Sequence, residues 1–546
     1  MDTRRKSARA TTLLAALAGI AAAALLLGVA ELAAAFFTAR ATPVIALGST
    51  FIDFTPGWLK DFAIATFGTG DKAALFVGMG LTITALAAVL GITAYHRWVL
   101  GAVGVTAAGL VIVASVLSRA GASTYDALPS LIGTAAGLLA LRLMIARLPA
   151  ARAVPSDSAP SDSGPSDSGP SDSAPAGMAS SPAAARALPG ASSRRSFFAA
   201  AGITAAAAAA AAAGGRALGS VRNSVEAARR SLRLPAPASP APVLPAGLEA
   251  PVDGVVPWLT PNPDFYRIDT ALSVPQLDVD TWELRVHGMV EEEFTLTFDD
   301  LLEEDLIERH ITLTCVSNPV GGNLVGNAKW LGYPLRDLLR RARPLRGADM
   351  VLSTSSDGFS ASTPLPVLLD GRDAMLAVAM NDEPLPLEHG YPVRMVVPGL
   401  YGYVSATKWV VDLEVTRFAD RTSYWTDRGW SEKGPIKTMA RVEVPRSFGK
   451  VAAGTVQIGG TAWSQTRGIT RVEVSVDDGR WEEVTLAAEA SVDTWRQWHH
   501  EITVGPGSHT VRARATDPAD GVQTDERADP VPNGASGWQS VQFTAS

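Results

Sequence analysis

Apolar residues crowd the first 150 positions in long unbroken runs; beyond residue 250 they alternate or recur every three to four positions. Four runs, at 12–38, 73–95, 98–118 and 124–146, reach the roughly 20 residues that a helix needs to cross a bilayer. Soluble cores seldom hold so many such runs so close together, so the pattern predicts an α-helical, four-span membrane region over residues 1–150. Arg4, Arg5, Lys6 and Arg9 precede the first run, and Arg142, Arg147 and Arg152 close the fourth. Lys and Arg favour the cytoplasmic side. Both ends of the region are therefore expected there, with the 39–72 loop and its Trp58 turned outward.

The next segments are not globular. Residues 151–192 include Pro155–Gly177, a five-residue repeat of Ser, Pro and Asp that cannot bury enough apolar surface to fold and reads as a disordered tether. In the 193–216 segment, Ser193, Arg194, Arg195, Phe197 and Phe198 match a twin-arginine export motif ahead of a weakly hydrophobic Ala-rich stretch. An ordinary fifth span with positive flanks is the other reading. Both take the chain out of the cytoplasm after residue 216. Residues 217–250 are expected to be a second linker, on the Pro/Ala-rich stretch Arg233–Pro251 that leads into the exported part.

Residues 251–420 mix short strands and helices. Thr281–Val290 alternates as a strand, Thr297–Leu306 opens with Asp in its first turn as a helix does, and His310–Cys315 reads as a strand. Trp330–Ala342 gives a turn and a helix; Tyr391–Gly399 and Lys408–Phe418 give strands. The expected class is α+β. In residues 440–546, Val472–Leu486 reads as a hairpin turning at Asp477, Asp478 and Gly479, and His509–Asp517 alternates again. Short strands with regular turns predict an all-β sandwich of immunoglobulin type.

Composition narrows the function. The formal net charge is −7, which offers no basic face for nucleic acid. A haem in the membrane bundle would need paired axial His, and His96, at a helix end, is the only His before residue 280, so no haem is expected in this chain. Cys315 is the single cysteine, which excludes an internal disulfide framework. It ends an apolar strand and precedes the glycine-containing stretch Val316–Asn323. His310 projects from the opposite strand face and is no local base for a Cys nucleophile, and no Cys/His cluster with zinc spacing exists. A buried structural thiol and a ligand both remain open on these grounds.

Several stretches, in order, resemble the sulfite oxidase family of molybdenum–molybdopterin oxidoreductases over about residues 255–546. They are Phe265–Pro275, Trp282–Val290, Thr312–Leu339, Asp357–Leu365 and Glu388–Trp409, followed by a sandwich similar to the family's dimerisation domain. The resemblance implies that Cys315 is the metal ligand and catalytic thiolate, beside two dithiolene sulfurs. It implies that Tyr266 and Arg267 line the pterin, with Arg267 the substrate-facing catalytic cation. Ser355 would stand beside the cofactor. His389 and Arg394 would contact the pyranopterin and its phosphate, as would the turn Gly402, Tyr403 and Val404, with Lys408 adding charge. The chain departs from the animal and plant pattern in carrying no cation in Cys315–Gly322, and near Phe359 and Ser360, where the family has an active-site Tyr.

Together the pattern and the resemblance imply a membrane-anchored, extracytoplasmic oxidoreductase performing two-electron oxygen-atom transfer on a small molecule such as sulfite. An external carrier such as a c-type cytochrome would take the electrons, and the sandwich is compatible with a homodimer. Methionine sulfoxide or another S/N-oxide is the alternative substrate. A non-enzymatic surface-binding protein and a thiol redox sensor are the rival classes.

Overall fold

The computed structural model describes residues 2–34, 36–37, 42–55, 71–118, 124–148, 191–220, 224–271 and 273–546. Trp58 and the Ser/Pro/Asp repeat lie outside these residues. The chain forms two compact units, Met1–Ser220 and Val221–Ser546.

In the first unit, four helical stretches are long and apolar enough to cross a membrane: Arg9–Ala34, Phe76–His96, Trp98–Leu117 and Thr124–Ile145. They coincide with the four apolar runs. Small residues set their packing distance. A side chain at Gly19 would meet the Ala87 carbonyl at 2.0 Å, and one at Gly91 would meet that of Ala15 at 2.3 Å. The segment expected to be a loop at 39–72 contains a further helix, Pro43–Phe54, whose apolar sequence gains by burial. The backbone of Ser193, Arg194, Arg195, Phe197 and Phe198 belongs to a helix, Ala191–Ser220. Its apolar part, Ser196–Ala211, is shorter than the four spans.

The second unit begins with two five-stranded sheets. One has the order β2(Phe294–Thr297)–β1(Glu283–Gly288)–β10(Val410–Thr416)–β5(Met350–Ser355)–β6(Ser360–Pro364), with β1 and β10 parallel. The other runs β3(Ile307–Thr314)–β4(Val325–Pro334)–β7(Met375–Met380)–β8(Glu383–Pro384), with β9(Arg394–Val396) also on β7. The expected helix at 297–306 is the six-residue Phe298–Glu303, started by a reciprocal cap between Thr297 and Asp300. The class is α+β.

An all-β pair of sheets completes the unit. The first has the order β11(Met439–Val444)–β13(Gly454–Trp463)–β17(Arg496–Val504)–β16(Thr485–Leu486). The second has the order β12(Lys450–Val451)–β20(Gln539–Ala545)–β18(Gly507–Asp517)–β14(Arg471–Val476)–β15(Glu482–Glu483), with β19(Gly521–Val522) on β18. They share a core that includes Ile458, Trp498, Val511 and Phe543. The expected hairpin turn is present. Asp477 and Asp478 both have positive φ, and the Gly479 amide closes onto the Val476 carbonyl at 2.8 Å. Its second strand divides, Glu482–Glu483 pairing with β14 and Thr485–Leu486 with β17 in the other sheet.

The segment 233–251 is not a free linker. The Ala238 amide donates to the Leu306 carbonyl, and the Glu308 amide to that of Ser239. The Ala250 amide donates to Gln497 Oε1 at 2.7 Å. Proline removes competing donors and leaves an extended strap whose remaining amides find partners on both β regions.

Candidate active site

Cys315 follows β3, whose last four residues are fully buried against β4. Its amide donates to the Leu324 carbonyl at 2.9 Å and its carbonyl accepts from the Asn318 amide at 3.1 Å, so the chain reverses directly after the thiol. Asn318 Oδ1 accepts from the Leu324 amide at 2.9 Å and braces the turn. Only glycine fits at 322, where a Cβ would lie 2.3 Å from that oxygen. The thiol is 8 % exposed. Burial pushes its pKa up, while the Ser317 amide and hydroxyl pull the other way. It is therefore protonated and a poor nucleophile unless a metal displaces the proton.

Support beneath this strand comes from the C-terminal β region. Gln465 Nε2 donates to the Thr312 carbonyl at 3.1 Å and to Thr314 Oγ1 at 3.2 Å. The Thr312 amide donates to the Asp493 carbonyl at 3.0 Å, and Thr312 Oγ1 accepts from the Trp495 amide at 2.8 Å. Trp495 Nε1 donates to the Trp258 carbonyl, which also receives Asn327 Nδ2 from β4.

Cys315 opens into a cleft. Charged groups gather along one part of it. Arg394 is 5 % exposed and stands 5.1 Å above the Trp330 ring. Its Nη1 donates to the His389 carbonyl at 3.1 Å, and no carboxylate pairs with it among the described residues. Burial lowers its pKa to about 10. Lys408 Nζ donates to Asp269 Oδ2 and to the Glu388 carbonyl, both at 2.9 Å, and burial lowers it to about 8. His389 bonds the Asn262 carbonyl through Nε2 at 3.1 Å, and burial followed by the nearby Arg394 charge lowers it to about 4. It is neutral at pH 7, donating from Nε2.

Aromatic rings form the other wall. Phe359, Trp425, Trp430 and Tyr403 line the cleft; with Tyr424, which is not in the lining, they run in the order Phe359, Tyr424, Trp425, Trp430, Tyr403 at centroid separations of 5.8, 5.1, 6.0 and 5.8 Å. Tyr403 fixes this arc by donating its hydroxyl to the Ser431 carbonyl at 2.7 Å. It rises from the turn Gly402–Val404, which lies beside the end of β3; a Cβ at Gly402 would be 4.0 Å from the Thr314 carbonyl.

The cleft thus brings together Cys315, Tyr266, Ser355, His389, Arg394, Gly402, Tyr403 and Lys408. It does not include Val404, which is fully buried, nor Arg267, whose side chain is 41 % exposed and bonds Asp269 Oδ2 at 2.8 Å. Sequence reasoning missed Asp269, the carboxylate shared by Arg267 and Lys408, although it stands two residues from Arg267. It also missed Trp425 and Trp430, in the stretch between the two expected domains.

Residues 271–425 match the family described as the oxidoreductase molybdopterin binding domain, and 428–532 match the Mo-co oxidoreductase dimerisation domain. The human mitochondrial sulfite oxidase is 30% identical over 319 residues, covering 49% of this chain and 58% of that enzyme. The chain belongs to the sulfite oxidase family. Other similarities spread wider. The nitrate reductase [NADPH] of Emericella nidulans is 33% identical over 183 residues, 29% of this chain and 21% of the reductase. The sulfane dehydrogenase SoxCD of Paracoccus pantotrophus is 24% identical, with a TM-score of 0.46 over 54% of this chain and 82% of the solved one. The chain spans somewhat over half the length of the human relative.

Molybdenum–molybdopterin is the cofactor of this family, and the donor set fits it. Among the described residues no group of three His, Cys, Asp or Glu side chains could hold a metal alone. An ion at Cys315 therefore needs ligands brought by its own cofactor. Arg394, a buried cation without a carboxylate, needs an anion, and a phosphate answers its fork.

Proposed function

We propose that this chain is a membrane-anchored molybdopterin oxidoreductase that performs two-electron oxygen-atom transfer on the extracytoplasmic side. The observation that carries the reading is a lone buried thiol in the same cleft as a buried Arg lacking a counter-ion. The bound cofactor would supply a molybdenum centre able to exchange an oxygen atom and two electrons with substrate. Cys315 would hold the metal, with Gln465 and the Asn318 turn fixing its direction. Arg394, Lys408 and the neutral His389 would hold the phosphate and pterin, and Tyr266 and Ser355 would flank it. Arg267 would be the substrate-facing cation once Asp269 releases it. The names of the relatives favour sulfite as substrate; the aromatic wall favours an organic S- or N-oxide as the second reading.

The Arg and Lys flanks of the four apolar helices support the outward placement of residues after 216. The match to a dimerisation domain supports a homodimer, and a soluble redox protein such as a c-type cytochrome would carry electrons away. Elemental analysis of the purified chain tests the central point. About one molybdenum per chain is expected, with an electron paramagnetic resonance signal that changes in Cys315→Ser. No metal, under conditions that load a known molybdoenzyme, would leave a tethered binding protein.

A further inference from the structure

The turn between β11 and β12, Arg446–Lys450, presents an aromatic ring to water. Phe448 at its tip is 79 % exposed. Its φ of 58° lies in the left-handed region, which disfavours an aromatic side chain and suits glycine. Backbone bonds pin it there. The Phe448 amide donates to the Gln542 carbonyl of β20 at 2.5 Å, and the Gly449 amide closes onto the Arg446 carbonyl at 2.8 Å. The Gly449 carbonyl accepts from the Thr544 amide at 2.9 Å. A lone exposed apolar residue is ordinary on a protein surface. A large one held rigidly outward in a disfavoured conformation points to a use.

The charges beside it indicate which use. Arg446 and Lys450 flank the ring and are both exposed, and neither forms an ion pair among the described residues. An aromatic ring between two free cations suits the boundary of a bilayer. The ring can enter the headgroup layer while the cations meet anionic headgroups. Such a contact is weak by itself. Here it is made by a chain that also carries four helices long and apolar enough to cross a membrane. Tethering raises the effective concentration of the tip to the order of millimolar, at which a weak contact is populated.

We propose that the Arg446–Lys450 turn docks on the anionic headgroups of the bilayer that anchors the chain, with Phe448 inserted at the interface. The proposal rests on the membrane-anchored reading above and adds a second contact to it. β13 begins just beyond this turn at Gly454, and its far end leads to Gln465, which bonds the strand carrying Cys315. A strand of 10 residues spans about 33 Å. Docking at one end of the sandwich would therefore hold the cleft, at the other end, clear of the lipid and open to water-borne substrate and carrier.

The experiment uses the full chain in lipid nanodiscs of equal parts phosphatidylglycerol and phosphatidylcholine, of phosphatidylcholine alone, and in detergent. Ser447→Cys carries a nitroxide, and the labelled parent chain gives the background from Cys315, which is 8 % exposed. Power saturation compares contact of the nitroxide with oxygen and with a water-soluble nickel chelate. A rise in the oxygen-to-nickel ratio is expected in the phosphatidylglycerol discs only. Adding Lys450→Gln should weaken docking about fivefold, and Arg446→Glu with Lys450→Glu should abolish it. Phe448→Gly should also abolish it, with the melting temperature unchanged or raised, because glycine accepts the positive φ. A nitroxide that stays in water in the phosphatidylglycerol discs overturns the proposal. So does a ratio indifferent to these substitutions, or a melting temperature lowered by Phe448→Gly, which would make the ring a structural element. A nitroxide immobilised in detergent without gain of oxygen contact would place the tip against protein and likewise overturn it. A chain that does not enter the discs removes the membrane-anchored reading itself, and the proposal with it.

Discussion

The two walls of the cleft solve different problems with different physics. One concentrates charge: Arg394 and Lys408 are nearly inaccessible, and burial pulls both pKa values down. The other concentrates aromatic surface, five rings in series, four of them lining the cleft, held by Tyr403 and its bond to Ser431. A buried cation is costly until its anion arrives, so the first wall can hold a resident group tightly and discriminate by charge. An aromatic wall costs little when empty and discriminates by desolvation and shape. On the proposed function, retention of cofactor and choice of substrate would thereby be separable.

That separation can be broken in graded steps. The largest effect belongs to Cys315→Ser, which should abolish turnover while the tryptophan emission of the aromatic arc stays as in the parent protein; assay and emission spectrum check the two halves. Arg394→Ala should follow, lowering cofactor occupancy by roughly 30-fold or more, since truncating one side of a buried charge contact costs about 2–5 kcal/mol. Molybdenum content read after dialysis checks it. Arg394→Lys should recover only part, because Lys keeps the charge without the fork.

Gln465→Leu should reduce kcat by about 10- to 100-fold, the range typical of groups that orient a metal ligand, with KM for substrate unmoved. A shifted molybdenum resonance signal would distinguish reorientation of Cys315 from general destabilisation.

The smallest effect concerns Asp493, outside both walls, which burial and then Asp373 push up to about 6. Its folded pKa exceeds the unfolded value, so the stability it contributes is present at low pH and is lost as pH rises through about 6. Asp493→Asn should raise the melting temperature at pH 8, by the equivalent of roughly 1–3 kcal/mol, and leave it unchanged at pH 4. Molybdenum content should not move.

Much of this was readable along the chain because it depends on neighbours in sequence. The four apolar runs, the Asp477–Gly479 turn and the position of Cys315 ahead of its glycine turn are all local. Asp269 was missed because its role comes from Lys408, 139 positions away. Trp425 and Trp430 were missed because the segment joining two folds has no periodicity; its residues are placed by Tyr403 and by each other. The Pro/Ala strap misled for a related reason. Its composition matches that of flexible spacers, and only the amides offered to Leu306 and Gln497 distinguish an anchored segment from a loose one.

The bonds from Gln465, Asp493 and Trp495 to the strand carrying Cys315 bear on how such proteins can diversify. Two modules joined only by a hinge can be exchanged by recombination, each bringing its own property intact. Here a crossover between residues 420 and 440 would give the thiol a foreign foundation and divide the aromatic arc between parents. The inheritable unit of chemistry would therefore run from the strap at Arg233 to the last strand, and changes of substrate would come by point substitution along the arc rather than by swapping the C-terminal half.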